Sequence, residues 1–416
     1  MVVSIAPMTL DTRADMRMPV GGASTSPLDR FRAIVFADPG LQLELARPYD
    51  PAAFAELAAR RACENGVAMS AESIRREARP DPLGLSRWDA RPELIEDWPA
   101  GDWLPVHVDS TASPYVEWAQ FAGAPLTEPF FEESRRKAAS LPFNTVFRLR
   151  TGLVDFIAAA TPERARRPLG LIFHMSRCGS TLMAQMLAAA PRNTVISEAP
   201  PLDAAVQLEA LGAPSGRYAG VLAAMVGALG RRQSAAAGRL FLKHDSWHAM
   251  SLPLIRRAFP STPWVFLYRD PVEVIVSQAR QAGMQTVPGL LPRQIVGLDP
   301  AATPHDAYGA AVLGRTCEAA ADAVAGGGGL LVNYSELPDA VFSRILPHFG
   351  VTADADELAA MTRAAGRDAK APYAAFAADG EAKRAEATPR LLDLVARHMA
   401  APYRRLEALH VGRPAP

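Results

Sequence analysis

From residue 169 onward the chain alternates short apolar runs with longer stretches of helical spacing. Five of the runs, "LGLIFHM", "NTVIS", "RLFLKH", "PWVFLYR" and "GLLVNYS", have the length of strands. Strands alternating with helices across short connections constrain the fold to α/β, a parallel sheet with helices on both faces. The spacing predicts helices over 180–190, 202–211, 218–230, 248–258, 272–282, 304–325, 338–349, 355–365 and 388–408, with "GGGG" at 326–329 as a loop before a buried strand. Ligands of such sheets gather at the carboxyl ends of the strands. Four polar clusters fall there: "SRCGST" from 176, "SEAP" from 197, "KHD" from 243 and "RDPVEVIVS" from 269.

The first cluster joins a strand to a helix through Ser176, Arg177, Cys178, Gly179, Ser180 and Thr181. A helix start presents unpaired backbone N–H groups, so the segment reads as an oxyanion cradle. The pattern G-x-x-x-x-G-K-[ST] of nucleoside-triphosphate loops can be laid over it with Gly179 as the second glycine and Thr181 as the hydroxyl. His174 then replaces the first glycine and Ser180 the lysine that reaches the outer phosphates. The loop keeps the cradle and loses the main cation of ATP or GTP chemistry. The last cluster places Arg269 at a strand end, Pro271 at a helix start and Ser277 eight residues beyond the arginine. A guanidinium fork and a hydroxyl so related suit a second phosphate, which suggests a nucleotide bearing two.

Composition narrows the partners. The 416 residues, 49% of them hydrophobic, suffice for a large core and two or three domains. Lys+Arg and Asp+Glu are both 44, so no global field favours nucleic acid or an acidic membrane, and any anion site is local. Cys63, Cys178 and Cys317 are odd in number and far apart, which argues against a disulfide framework. With no signal sequence and no apolar run near the roughly 20 residues of a membrane span, a cytoplasmic location is expected.

Residues 1–26 form a flexible lead. A helical module follows over 27–79, with Leu28, Phe31 and Val35 on one face and Phe54, Leu57 and Ala58 on another. Through "FRAIVFADPGLQLEL", "DPAAFAELAAR" and "ENGVAMSAESI" it resembles the helical leader-peptide domain of the nitrogen-fixation-associated family; an ordinary helical extension is the competing reading. Residues 80–168 hold Trp88, Trp98, Trp103 and Trp118 among many prolines. This region is expected to be an irregular wrap packed on the α/β domain of 169–416, with an acceptor-lining role as the alternative.

In order along the chain, "SRCGSTLMAQML", "SEAPPL", "LFLKHD", "WVFLYRDPVEVIVS" and "LLVNYSELPD" resemble the sulfotransferase family. The resemblance covers about 169–410 and implies the P-loop-like fold of that family. It implies that 3′-phosphoadenosine 5′-phosphosulfate is the donor, a hydroxyl or amine the acceptor, and that no metal is needed. Arg177, Gly179, Ser180 and Thr181, with Cys178 in a position usually held by serine or a small residue, then hold the 5′-phosphosulfate. Arg269 and Ser277 hold the 3′-phosphate, and Tyr334 touches the nucleotide. Arg177 and Lys243 are the cations for the transferred group. Glu198, 21 residues after Arg177, is the candidate base, a separation shared with the protein-tyrosine branch; Pro200 stands where that branch has an arginine, so acceptor binding differs.

His244, at a strand end beside Lys243, rivals Glu198 as base. His174 reads as a core residue. His244 and His248 have helical spacing for a metal pair, without an evident third ligand. Cys178 at a helix start has the position of a nucleophile, but Ala184 stands where a phosphatase-type loop has its arginine. The acceptor is a small molecule or a peptide. A small-molecule or peptide kinase and a non-catalytic binding protein are the alternative functions.

Overall fold

The computed structural model describes residues 26–78, 92–212, 216–232, 238–367 and 380–411. Residues 1–25 of the expected lead 1–26, and Trp88, lie outside them. Two sheets organise the chain, and one buried apolar cluster runs through both, from Phe31 to Leu406.

The C-terminal sheet has five parallel strands in the order β6-β7-β5-β8-β9: β5 (Gly170–His174), β6 (Asn193–Ser197), β7 (Arg239–Lys243), β8 (Trp264–Tyr268) and β9 (Gly329–Asn333). All five runs singled out in the sequence are these strands. Their near-complete burial is what a parallel sheet covered on both faces requires. The central β5 pairs Ile172 with Lys243 of β7 and His174 with Leu267 of β8. The chain leaves β5 toward β6 on one side and later returns past it to β8 and β9, so the carboxyl end of β5 is flanked by polar segments from both neighbours. Three predicted helices differ in detail: 248–258 opens with a 3-10 helix, Ser246–Ser251, before Leu252–Ala258. The last is split into Pro389–His398 and Ala400–Val411, and 338–349 contains a π-helical turn, Val341–Ile345, before Leu346–His348.

The region expected as an irregular wrap is in fact a second sheet. Its strands β1 (Glu93–Ile95), β2 (Trp103–Asp109), β3 (Tyr115–Gln120) and β4 (Leu149–Gly152) stand in the order β1-β4-β3-β2. The strands are short, and the β2–β3 register shifts between Pro105 and His107, so no long period-2 pattern marks them. Trp98, Trp103 and Trp118 are buried, and each indole N–H donates: to the Phe156 carbonyl (3.0 Å), Gln42 Oε1 (2.8 Å) and Thr151 Oγ1 (2.9 Å). Helices Pro200–Gly212 and Val221–Leu229 pack on β2.

Helices Pro27–Ala37, Pro39–Leu45, Pro51–Glu64 and Ala71–Glu77 precede this sheet, each opened by a Ser or Asp cap. Phe31 and Phe54 meet Phe147 edge-on at 5.8 and 6.4 Å, so the helices complete the core of the second sheet. No described helix is long and apolar enough to cross a membrane. Cys63, Cys178 and Cys317 are free thiols.

Candidate active site

Five residues separate the end of β5 at His174 from the helix Ser180–Ala188. Three of them are left-handed: Ser176 (φ 76°), Arg177 (φ 52°) and Gly179 (φ 86°). Only glycine adopts this backbone freely, so Ser176 and Arg177 are held there by their surroundings. Ser176 N–H donates to His174 Nδ1 (3.1 Å), and Ser176 Oγ accepts from Gln278 Nε2 (3.0 Å). The half-buried Arg177 donates from Nη2 to the Gln281 carbonyl (2.8 Å), tying the loop to the end of helix Pro271–Arg280. A Cβ on Gly179 would lie 2.7 Å from Leu337 Cδ1 and 2.8 Å from Tyr334 Cδ2. Ser180 and Thr181 open the helix and face a cleft with Ser176 and Arg177. Cys178 does not: its thiol is buried against the Leu267 carbonyl (3.1 Å), and burial pushes it up to about 12. A thiol so placed is an anchor for the loop rather than a nucleophile.

Beside the loop stands Glu198. Its N–H donates to the Lys243 carbonyl (2.8 Å), extending the β6–β7 ladder by one residue before the backbone turns left-handed (φ 48°). Glu198 Oε1 accepts from Lys243 Nζ and lies 3.3 Å from His174 Nε2. Because His174 Nδ1 accepts the Ser176 N–H, its proton is on Nε2, shared between Glu198 and the His244 carbonyl (3.0 Å). Burial by itself would raise Glu198. The Lys243 ammonium and the His174 hydrogen bond outweigh it and hold the carboxyl far below its ordinary range. Among the described residues, Glu198 Oε2 accepts no hydrogen bond, and Glu198 lines the cleft.

The other cations and bases occupy places the sequence did not foretell. Lys243 is wholly buried behind Glu198, its ammonium 4.6 Å from the Phe130 ring centre, and is absent from the cleft wall where a cation facing the transferred group would stand. His244 is likewise no cleft residue. Its ring stacks on Phe173 (4.6 Å, interplanar angle 2°), its Nδ1 lies 3.2 Å from His248 Nδ1, and burial drives it well toward the neutral form. It cannot reach an acceptor from there, and the ring that does line the cleft is His174. Arg269 donates from Nε to Glu273 (2.6 Å), and its guanidinium stacks 3.9 Å from the Tyr334 ring centre. Tyr334 in turn packs on Gly179, so Arg269, Tyr334 and the loop are brought together. Ser277 is half-buried, one helical turn beyond Glu273.

The cleft encloses about 620 Å³. Across from the loop its wall is Asp203, Asp245, Ser246 and Trp247; Phe130, Glu132 and Arg136 close it from the second sheet's side. Asp203 accepts from Trp247 Nε1, His248 Nε2 and Gln207 Nε2, each at 2.8 Å. Burial pushes its carboxyl up, and the donors, His248 foremost, more than reverse this. Asp245 is only 7% exposed and has no such donors; burial and the charges of Glu198 and Asp203 drive its carboxyl well above the ordinary range. With His248, the two aspartates place ligand atoms within 4.8 Å of one another, supplying the neighbours His248 lacks in sequence.

Sequence reasoning missed Asp203, Trp247 and Phe130, and assigned His174 to the core. Asp203 is hidden because an acid in a helix's first turn is ordinary there. Phe130 belongs to the tryptophan- and proline-rich region, whose acceptor-lining alternative was the available signal.

A parallel sheet whose central strand feeds a left-handed loop and a helix start beside the half-buried Glu198 carboxylate is an arrangement suited to holding an oxyanion. Residues 171–355 match the model of the sulfotransferase family. Solved structures similar to the chain include the sulfotransferase domain from the curacin biosynthetic pathway, at 15% identity over 61% of this chain and 100% of that one, TM-score 0.36. A sulfotransferase from Mycobacterium avium is similar at 15% identity over 60% and 81%, TM-score 0.37. One from Alicyclobacillus acidocaldarius is similar at 14% over 60% and 98%, TM-score 0.36. No curated protein matches the chain.

Proposed function

We propose that the protein transfers a sulfuryl group from 3′-phosphoadenosine 5′-phosphosulfate to a hydroxyl or amine of a small-molecule or peptide acceptor held in the cleft. The observation that carries this reading is the loop at 176–181. It has the left-handed backbone and helix start of a phosphate cradle, without a triphosphate loop's lysine, inside the segment that matches the family.

The residues present fit such a donor. The N–H groups at the start of helix Ser180–Ala188 and the Arg177 guanidinium bind its 5′-phosphosulfate oxygens, and Tyr334 covers Gly179. Arg269 and Ser277 take the 3′-phosphate, with Glu273 as the present partner of Arg269. When bound, the donor supplies the activated sulfuryl group; the protein's part is positioning and charge stabilisation. Glu198 Oε2 takes the acceptor's proton, and Lys243 and His174 fix the carboxylate that does so. Lys243 is on this view a positioning residue.

Differential scanning tests the donor. Adenosine 3′,5′-bisphosphate without magnesium, at 100 times its dissociation constant, should add roughly 2.7 kcal/mol of stability. A larger shift with magnesium and ATP identifies a kinase instead, whose metal would find Asp203 and Asp245.

A further inference from the structure

The cleft holds more carboxyl groups than the proposed transfer requires. Four carboxylates line it: Glu132, Glu198, Asp203 and Asp245. Three are hydrogen-bonded by side chains of the protein itself, Glu132 by Arg135 and Arg136, Glu198 by Lys243, and Asp203 by His248. Asp245 is not. It is only 7% exposed, lines the cleft, and among the described residues has no ion pair closer than His248 at 3.8 Å. Its carboxyl opens onto the cleft with no side-chain donor among the described residues, so a donor can reach it from a ligand held there.

The neighbouring histidines say which kind of cation. Asp203 accepts from His248, so the His248 proton is on Nε2. His248 Nδ1 then accepts from His244 Nδ1–H, and His244 Nε2 is left as a bare lone pair, in agreement with its being buried without a partner. A metal bound through His248 Nε2 would expel that proton and reverse the chain, leaving a buried N–H on His244 with no acceptor. An ammonium group leaves the proton in place and donates its own N–H groups to Asp245 and Asp203. The Trp247 indole beside them, held by its N–H to Asp203, adds an aromatic surface that suits organic cations.

We propose that the acceptor is an organic ammonium compound whose cationic group is seated by Asp245 and Asp203 against Trp247. The inference rests on the sulfotransferase reading for its use of the word acceptor, and it concerns a different wall of the cleft from the donor loop.

The test uses three phenols of similar shape and different charge: tyramine, 4-ethylphenol and 3-(4-hydroxyphenyl)propionate. Each is titrated by calorimetry into the full chain saturated with adenosine 3′,5′-bisphosphate. Tyramine is expected to bind roughly 10- to 100-fold more tightly than the neutral phenol, with the carboxylate weakest. Asp245→Asn should remove most of that preference while bisphosphate affinity, measured on the same preparation, shows the variant to be folded; the wild-type charge series decides independently of any variant. Equal or tighter binding of the neutral or anionic phenol overturns the proposal, as does a preference that survives in Asp245→Asn. Displacement of tyramine by micromolar Mn²⁺, abolished by Asp245→Asn, would make this a metal site and also overturn it. Failure of the wild type to bind bisphosphate sinks the donor reading instead, and the same charge series on unliganded protein still decides the subsite.

Discussion

The two walls of the cleft are built in opposite ways. The loop wall proposed for the phosphosulfate is one contiguous stretch, 174–181, in which strand end, left-handed turn and helix start follow each other along the chain. The opposite wall gathers Phe130, Asp203, Asp245 and Trp247 from separate elements of both sheets' surroundings. The contiguous wall is pinned from outside, Ser176 by Gln278, Arg177 by Gln281 and Cys178 by Leu267. A dispersed wall depends on packing between elements, and its chemistry can change without disturbing the first. On the proposed function, the difference predicts that donor and acceptor recognition are separable, and four measurements can break or sharpen that separation.

The largest effect is expected at Glu198, which stands where the walls meet. Glu198→Gln keeps the shape of the side chain and cannot take a proton, so transfer should slow about 10²- to 10⁴-fold. Bisphosphate affinity should hold. Loss of nucleotide binding in that variant would give Glu198 a structural role at the donor wall and erase the separation.

Arg269→Ala should cost roughly 1.5–3 kcal/mol of bisphosphate affinity, with binding of adenosine 5′-phosphate unchanged. Equal losses for the two nucleotides would place the 3′-phosphate elsewhere. Next is Gly179→Ala. A left-handed alanine costs roughly 1–2 kcal/mol, and its Cβ would meet Leu337 and Tyr334 at 2.7 and 2.8 Å. Bisphosphate binding should weaken while tyramine binding survives; a drop in both would show the walls to be coupled.

The smallest effect is one of sign, on stability. Burial raises Asp245 above its ordinary value of 3.8. Its folded form therefore binds a proton that the unfolded chain releases, and the fold loses stability as pH rises from about 3.8 through the raised value. Asp245→Asn removes that loss: its melting temperature should exceed the wild type's at pH 7, with the gain vanishing as pH falls toward 4. The slope between those limits is at most about 1.4 kcal/mol per pH unit. A variant that melts below wild type at pH 7 would mean Asp245 has a partner that offsets its burial. Gain of stability with loss of ammonium binding is the trade expected of a functional residue.

The α/β sheet was legible because its strands are buried on both faces and so read as unbroken apolar runs; β5 to β9 fall on the five runs. The second sheet was not, because three- to seven-residue strands with a register shift at Pro105 leave no period to detect. Glu198 was named from its distance along the chain to Arg177, yet the oxygen that remains open, Oε2, is known only from where Lys243 and His174 place theirs. His244 and His174 exchanged their expected places for a related reason. Both end parallel strands, and which ring meets the cleft depends on side-chain packing, here the stacking of His244 on Phe173.

What the sequence by itself determined is therefore whatever a local segment can enforce: the strand runs, the helix caps, and a loop whose glycine and missing lysine already exclude a triphosphate cradle of the usual kind. Only the tertiary structure decided which charges are matched. Lys243 withdraws behind Glu198, His248 is spent on Asp203, and Asp245 is left buried without a donor. The reason is that a side chain's ionisation and availability depend on groups within a few ångströms in space, and here those groups come from distant segments: Lys243 lies 45 residues from Glu198, and His248 45 from Asp203.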